Sequence, residues 1–225
     1  MRDDAIDLVT NSAWVGRTAD AIGDAVKHAY ASAGERGVRV KSALNGVWLG
    51  HPLHSVLTDV PLGAWTVAVA CDATDVATGR NEFGECARAA ITVGLVGALA
   101  SAVAGMTDWS DTDGHARRVD LLHGTVSVTA TWLLATSLAL RQRAHTGRGR
   151  LWALAGYAVA LGAAYLGGDL VYGQQIGVNH AATHPQPWFE VRVRSGQIEV
   201  RMPRPPEEPA LEQGKGAAID WRAAS

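Results

Sequence analysis

Two histidines, His51 and His54, and a carboxylate, Asp59, stand close together in the stretch Gly50-His51-Pro52-Leu53-His54-Ser55-Val56-Leu57-Thr58-Asp59-Val60-Pro61. Imidazoles and carboxylates are the groups that ligate metals, hold haem iron and pass protons. On a helix starting near Pro52, His51, Ser55 and Asp59 fall at i, i+4 and i+8 on one stripe, and His54, Thr58 and Pro61 lie on its neighbour. Asp108, His123 and Asp169 stand at or just inside the ends of later apolar runs. An ionisable group inside such a run is costly and faces a partner or a cavity. His123, three residues into the third run, is the clearest case.

Three uses of these residues stay open. In one, His54 and His123 come from facing helices as axial imidazoles of a b-type haem, with His51 close by and Gly63 and Gly124 leaving room for the macrocycle. In another, the histidines and carboxylates bind a divalent metal or relay protons, although their spacing matches no specific metal motif. In the third, His123 pairs with Asp59, Asp108 or Asp169, and the polar layer does no more than hold helices together.

The elements that must position these residues are apolar runs of membrane-spanning length. Residues 89–107 are nineteen without a charge, residues 121–140 are twenty with only His123 titratable, and residues 151–168 are eighteen without a charge. A helix needs about 18 to 20 such residues to cross the hydrocarbon core. The first run, from Val60 to Cys71, is weaker because Asp59 precedes it and Asp72 and Asp75 follow it. Pro61 removes a backbone donor there, which predicts a kink or an opened turn near Asp59. The mean hydropathy of +0.03 comes from averaging these runs with polar ends. Glycines at 94, 97, 105, 156, 162, 167 and 168 would weaken helices in water, but in a membrane they let helix backbones approach.

The expected fold is therefore all-α: a four-helix transmembrane bundle, up-down-up-down, with spans at about 54–77, 87–108, 119–141 and 150–172. Both termini and the connection Asp108–Asp120 then share one side, called side A, and the two shorter connections share side B. His54, His123, Asp59, Asp108 and Asp169 all fall near side A. Arg80, Arg88, Arg141, Arg143, Arg148 and Arg150 on side B outweigh Arg36, Arg39, Lys41, Arg117 and Arg118 on side A, which tips side B toward the cytoplasm. Against that orientation, a tail of about 50 residues would then have to be translocated.

Residues 1–47 form a polar leader region in which Ile22, Val26 and Tyr30, at i, i+4 and i+8, predict an amphipathic helix lying on the membrane, against a partner, or free in solvent. The start of the chain lacks a secretory signal pattern, so the spans themselves drive insertion. The membrane domain covers residues 48–180, and Trp48 suits an interfacial ring. Within 181–202, Phe189, Val191 and Val193 alternate with charged residues, Ser195-Gly196 fits a two-residue turn, and Ile198 and Val200 alternate again, which predicts a small C-terminal β-hairpin. Residues 203–225 are rich in proline and charge and read as a disordered tail.

A net charge of −2 and the lack of a basic run with interleaved aromatics give no case for nucleic acid. No phosphate-binding glycine loop speaks for a nucleotide, and no nucleophile with its base or paired acids speaks for a hydrolase. Whether the chain is an enzyme stays undecided. Cys71 and Cys86 are too few for a disulfide framework and lie in no metal-binding pattern, so they read as ordinary thiols.

The stretch from Trp48 through His51-Pro-Leu-His54 to Trp65, followed by Asp72, resembles a bacterial four-span family catalogued as predicted-membrane domain of unknown function 2231. Ala104-Gly-Met-Thr-Asp-Trp109, Asp120-Leu-Leu-His-Gly124 and Gly167-Gly-Asp-Leu-Val-Tyr-Gly173 look like its later landmarks, over about residues 40 to 180. The resemblance implies a fold and a location in the bacterial cytoplasmic membrane as a multi-pass protein. Such domains are often followed by a Rieske iron-sulfur domain, and His184 to Arg201 looks like the closing hairpin of one. A Rieske centre needs two Cys and two His. Cys71 is followed by Asp-Ala-Thr and Cys86 by Ala-Arg-Ala, so no [2Fe-2S] cluster is expected in this chain. The combined expectation is a membrane redox-associated subunit or anchor whose His/Asp layer binds a haem, or docks an electron-transfer protein or a second copy. Its rival is a purely structural anchor without cofactor.

Overall fold

The structure is a computed structural model that describes residues 6, 9–80 and 82–173, together with the backbone of 190–194 and 197–201. Among the described residues six α-helices are placed in order: α1 (Ala13–Ser32), α2 (Gly34–Leu44), α3 (Leu53–Thr78), α4 (Glu82–Trp109), α5 (Gly114–Gln142) and α6 (Thr146–Gly168). The last runs on into a π-helical turn, Asp169–Gly173. All four helices from α3 onward are long and apolar enough to cross a membrane. The expected spans sit inside them, with α4, α5 and α6 beginning four or five residues earlier than hydropathy alone suggested. Glu82, Glu85, Arg117 and Arg148 occupy those first turns, where polar residues lower the apolar average without opposing the helix.

The core is made of small residues and the outer faces of large ones. Ala68, Ala87, Ala130, Ala153 and Ala160 are buried with Trp65, Ile91 and Leu134, whereas Val96, Leu99 and Leu151 are 64%, 66% and 69% exposed. A water-soluble bundle would bury its Leu and Val first. Small residues inside and large apolar ones outside is the distribution that lipid favours.

Pro61 does not open the helix. The α3 helix continues through it, and the buried ring packs at Gly97, where a Cβ would lie 3.1 Å from the proline Cδ. The missing donor is thus accommodated within an unbroken helix, and Pro61 lines the cavity between the helices together with Thr58 and Asp59.

Four helices are built as two like hairpins, α3–α4 and α5–α6. A Cβ on Gly94 of α4 would meet Trp65 of α3 at 2.2 Å, and one on Gly156 of α6 would meet Leu134 of α5 at 2.0 Å. Trp65 and Leu134 stand at the same interval after His54 and His123, and Gly94 and Gly156 at the same interval before Gly105 and Gly167. The same correspondence takes buried Pro61 to Ala130, Ala68 to Ser137, Ile91 to Ala153 and Ala104 to Leu166. In an alternating bundle the hairpins then run in the same sense, as parallel repeats about an axis along the membrane normal. The two first helices consequently begin on one side, which puts His54 and His123 at one depth.

The leader region packs on its own chain. Val15, Ala19 and Gly23 form the buried stripe of α1, with Ile22, Val26 and Tyr30 half-buried beside it, so the stripe is offset from the one expected. Arg117 at the start of α5, 3% exposed, donates to Asp24 at 3.0 Å, to Asp20 at 3.4 Å and to Asp113 at 2.9 Å. Tyr30 shares a hydrogen bond with Thr107 at 2.7 Å, and Lys41 of α2 pairs with Asp111. These bonds hold α1 and α2 against the side A ends of α4 and α5.

The expected disordered tail, 203–225, lies outside the described residues, as do His180, His184, Phe189 and the Ser195-Gly196 turn.

Candidate functional site

His54 and His123 meet across the bundle with ring centroids 6.3 Å apart and ring planes at 84°. Each is held from the partner helix of its own hairpin. The Nδ1 of His54 lies 2.9 Å from the Ser101 carbonyl oxygen and 3.2 Å from the Ser101 hydroxyl. The Nδ1 of His123 lies 2.9 Å from the Ala163 carbonyl oxygen. A carbonyl only accepts, so Nδ1 carries the proton in both rings, and in a neutral imidazole Nε2 then keeps its lone pair.

One turn beyond each carbonyl is a glycine on which the ring rests. A Cβ on Gly105 would lie 2.7 Å from His54 Cε1, and one on Gly167 would lie 3.0 Å from His123 Cε1. The two half-sites are therefore the same device made twice: histidine, carbonyl acceptor, and glycine four residues after the acceptor. In sequence the repeat survives as Leu53-His54 and Leu122-His123, too short to stand out.

The histidines open on a cavity of about 760 Å³ within the bundle, mostly apolar in lining. Asp59, Asp108 and Asp120 add carboxylates to its wall. Asp108 is buried and Asp59 is exposed at the mouth. Asp120 has a buried Oδ2 with no hydrogen-bond partner among the described residues. Gly124 also lines the cavity, with nothing within 4 Å of where its Cβ would be.

Not every expected residue comes to this site. His51 is exposed and outside the lining, because it precedes the first turn of α3. Asp169 begins the π-helical turn and does not line the cavity, although Gly168 and Leu170 do. Gly63 is exposed on the outer face of α3 and makes no room for a ligand. His123 bonds the Ala163 carbonyl rather than a carboxylate, so its expected pairing with Asp59, Asp108 or Asp169 gives way to a backbone acceptor. Among the described residues no group of three or more His, Cys, Asp or Glu could hold a metal ion.

The opposite end of the bundle is polar as well. Arg141 donates to both Asp72 oxygens, at 2.9 and 2.5 Å, while Arg150 pairs with Asp75. The buried Ser137 donates to the Gly149 carbonyl at 2.6 Å.

No curated protein and no solved structure matches the chain. The sequence pattern of one family, described as a predicted membrane protein (DUF2231), matches residues 50–180, which take in all four long apolar helices and both histidines. With that match over more than half its length, and with small residues inside and large apolar residues outside, the chain is an integral, multi-pass membrane protein that belongs to this family.

Proposed function

We propose that the protein is a redox-associated membrane subunit that holds a b-type haem between His54 and His123. The separation of the two rings carries this reading. A metal binds an imidazole nitrogen at about 2.0 Å, and that nitrogen is about 1.1 Å from its ring centroid, so two imidazoles that would hold one ion between them would have centroids about 6 Å apart. The rings stand 6.3 Å apart. Both Nδ1 atoms are taken by carbonyls, which leaves Nε2 as the ligand atom and fixes ring orientation as ligating histidines require. Two protein ligands are too few for a structural zinc but suffice for haem, whose macrocycle supplies the remaining four. When bound, such a group supplies one-electron transfer. The chain's own residues orient both imidazoles, provide an apolar cavity and place Asp59, Asp108 and Asp120 beside it.

The location in a bacterial cytoplasmic membrane, with side B toward the cytoplasm, belongs to the same proposal. So does an electron-transfer protein, or a second copy, as the docking partner. Support for a hairpin at the C-terminus comes from the antiparallel backbone pairing of Glu190–Arg194 with Gln197–Arg201, in a register that pairs Val191 with Val200 and Val193 with Ile198. This is the register that the alternation calls for, and it suits the closing hairpin of a Rieske-type domain without its cluster. The sequence offers no Cys-x-His loop for iron and sulfide.

A second reading has its own observation. The carbonyl bonds of His54 and His123 already join α3 to α4 and α5 to α6, which is all that a structural anchor needs. A reduced-minus-oxidised spectrum of the detergent-solubilised protein separates the two. The redox reading expects an α-band that His54→Ala and His123→Ala each abolish while the protein stays monodisperse. No α-band after expression with ample haem would leave the anchor reading standing.

A further inference from the structure

The side B end of the first hairpin holds the chain's two cysteines, Cys71 on α3 and Cys86 on α4. Their helices are antiparallel and in close register: Trp65 lies against Gly94, and the Asp75 carboxylate is 3.5 Å from where a Cβ on Gly84 would be. In such a pair a step forward on one helix matches a step back on the other, so the position level with Cys71 falls at about residue 88, within a turn of Cys86. Glycines at the contact let the backbones approach, and at Gly97 a Cβ would come within 2.6 Å of Val60. Cys71 and Cys86 stand about three turns further along the same two helices than Val60 and Gly97, which touch, so they repeat that facing position. Cys71 is half-buried, packed against the cluster that contains Ala87 and Ile91, and Cys86 is exposed.

We propose that Cys71 and Cys86 are a reversible dithiol–disulfide couple, closed and opened by exchange with a soluble thiol–disulfide pair on side B. Thiols on facing positions of two closely packed helices need only close to the bond length of about 2 Å. Exposed Cys86 attacks the soluble disulfide as its thiolate, forms a mixed disulfide and expels the first thiolate. The Cys71 thiolate then attacks the Cys86 sulfur and expels the second. The protein loses two S–H bonds and gains one S–S bond. The two electrons reduce the soluble disulfide, and the two protons end on the thiols released. The bond ties α3 to α4 one residue from Asp72, at the end of the bundle away from His54. Nothing in this couple depends on a haem.

The test uses full-length protein in detergent, equilibrated with reduced and oxidised glutathione at stepped ratios, then denatured in acid and labelled with a heavy maleimide. The expected result is passage from two labels to none with no lasting one-label species, and an intact mass lower by two hydrogens with no glutathione attached. Cys71→Ser, which removes the resolving sulfur, is expected to keep one glutathione on Cys86. A glutathione adduct that persists on Cys86 in the unaltered protein, or two free thiols at the most oxidising ratio, overturns the proposal.

Discussion

Asp72 and Arg141 occupy equivalent positions in the two hairpins, and they are bonded to each other. Asp72 follows His54 at the same interval as Arg141 follows His123. In one hairpin the position carries a carboxylate and in the other a guanidinium whose side chain is 1% exposed, joined in a two-pronged pair. A perfect duplication would put like beside like here and repel. The hairpins depart from symmetry where symmetry would be costly.

Removing Arg141 leaves buried Asp72 with only the more distant Arg150, at 3.8 Å, so the cost falls toward the lower end of the ~3–5 kcal/mol for breaking a buried pair. Arg141→Gln is therefore expected to lower the thermal midpoint of the detergent-solubilised protein sharply. Asp72→Asn combined with Arg141→Gln should lose less than the sum of the two single changes. Full additivity in this double-mutant cycle would show that the pair is not coupled.

Gly105 and Gly167 are the seats of the two histidine rings, so Gly105→Ala and Gly167→Ala should push the rings aside before they disturb the helices. Overpacking of this kind costs about 1–3 kcal/mol. If His54 and His123 hold a haem, each alanine should shift or erase its α-band at a modest cost in melting temperature. Unchanged spectra in both variants would count against the seating role.

The Gly94 and Gly156 contacts make a prediction about compensation. Gly156→Ala forces a methyl into Leu134 and should destabilise by about 1–3 kcal/mol, since a Cβ there would lie 2.0 Å from Leu134 Cδ2. Leu134→Val in the same chain should recover part of that loss. Thermal unfolding of the single and double variants checks this, and a double variant worse than either single one would refute it.

Arg117 fastens the leader helices. Gly23 gives it room, since a Cβ there would lie 3.0 Å from the guanidinium carbon, and Thr112 accepts a further hydrogen bond from it at 2.7 Å. Arg117→Ala should release α1 to limited proteolysis within residues 13–32 while α3 to α6 remain protected. Cleavage at the wild-type rate would mean that the apolar stripe of α1 docks the helix without these ion pairs.

The four spans were legible without coordinates, whereas the buried charges at the side B end, Asp72, Asp75 and Arg141, were not. Length and apolarity are properties of a segment by itself, because lipid demands that every backbone group be satisfied within the helix. An alternating path then assigns each helix end to a side. The leader helix was legible in kind but its stripe was misplaced, because Gly23 on the buried stripe packs against Arg117, a residue distant in sequence.

What only the tertiary structure decided is which atoms meet. His123 has three carboxylates within plausible reach of a sequence argument, yet it bonds a backbone carbonyl, a group every residue carries and no sequence pattern marks. Gly105 and Gly167 look like any other helix-packing glycines until a ring lies against them. His51 and Asp169 looked equivalent to His54 and Asp108 by position along the chain, but neither lines the cavity: His51 precedes the first turn of α3, and of the π-helical turn only Leu170, Val171 and Tyr172 reach it. Periodicity fixes the face of a helix to within a residue or so. The rotation and closeness of two helices depend on the small residues where they touch, and that is settled only when both are packed.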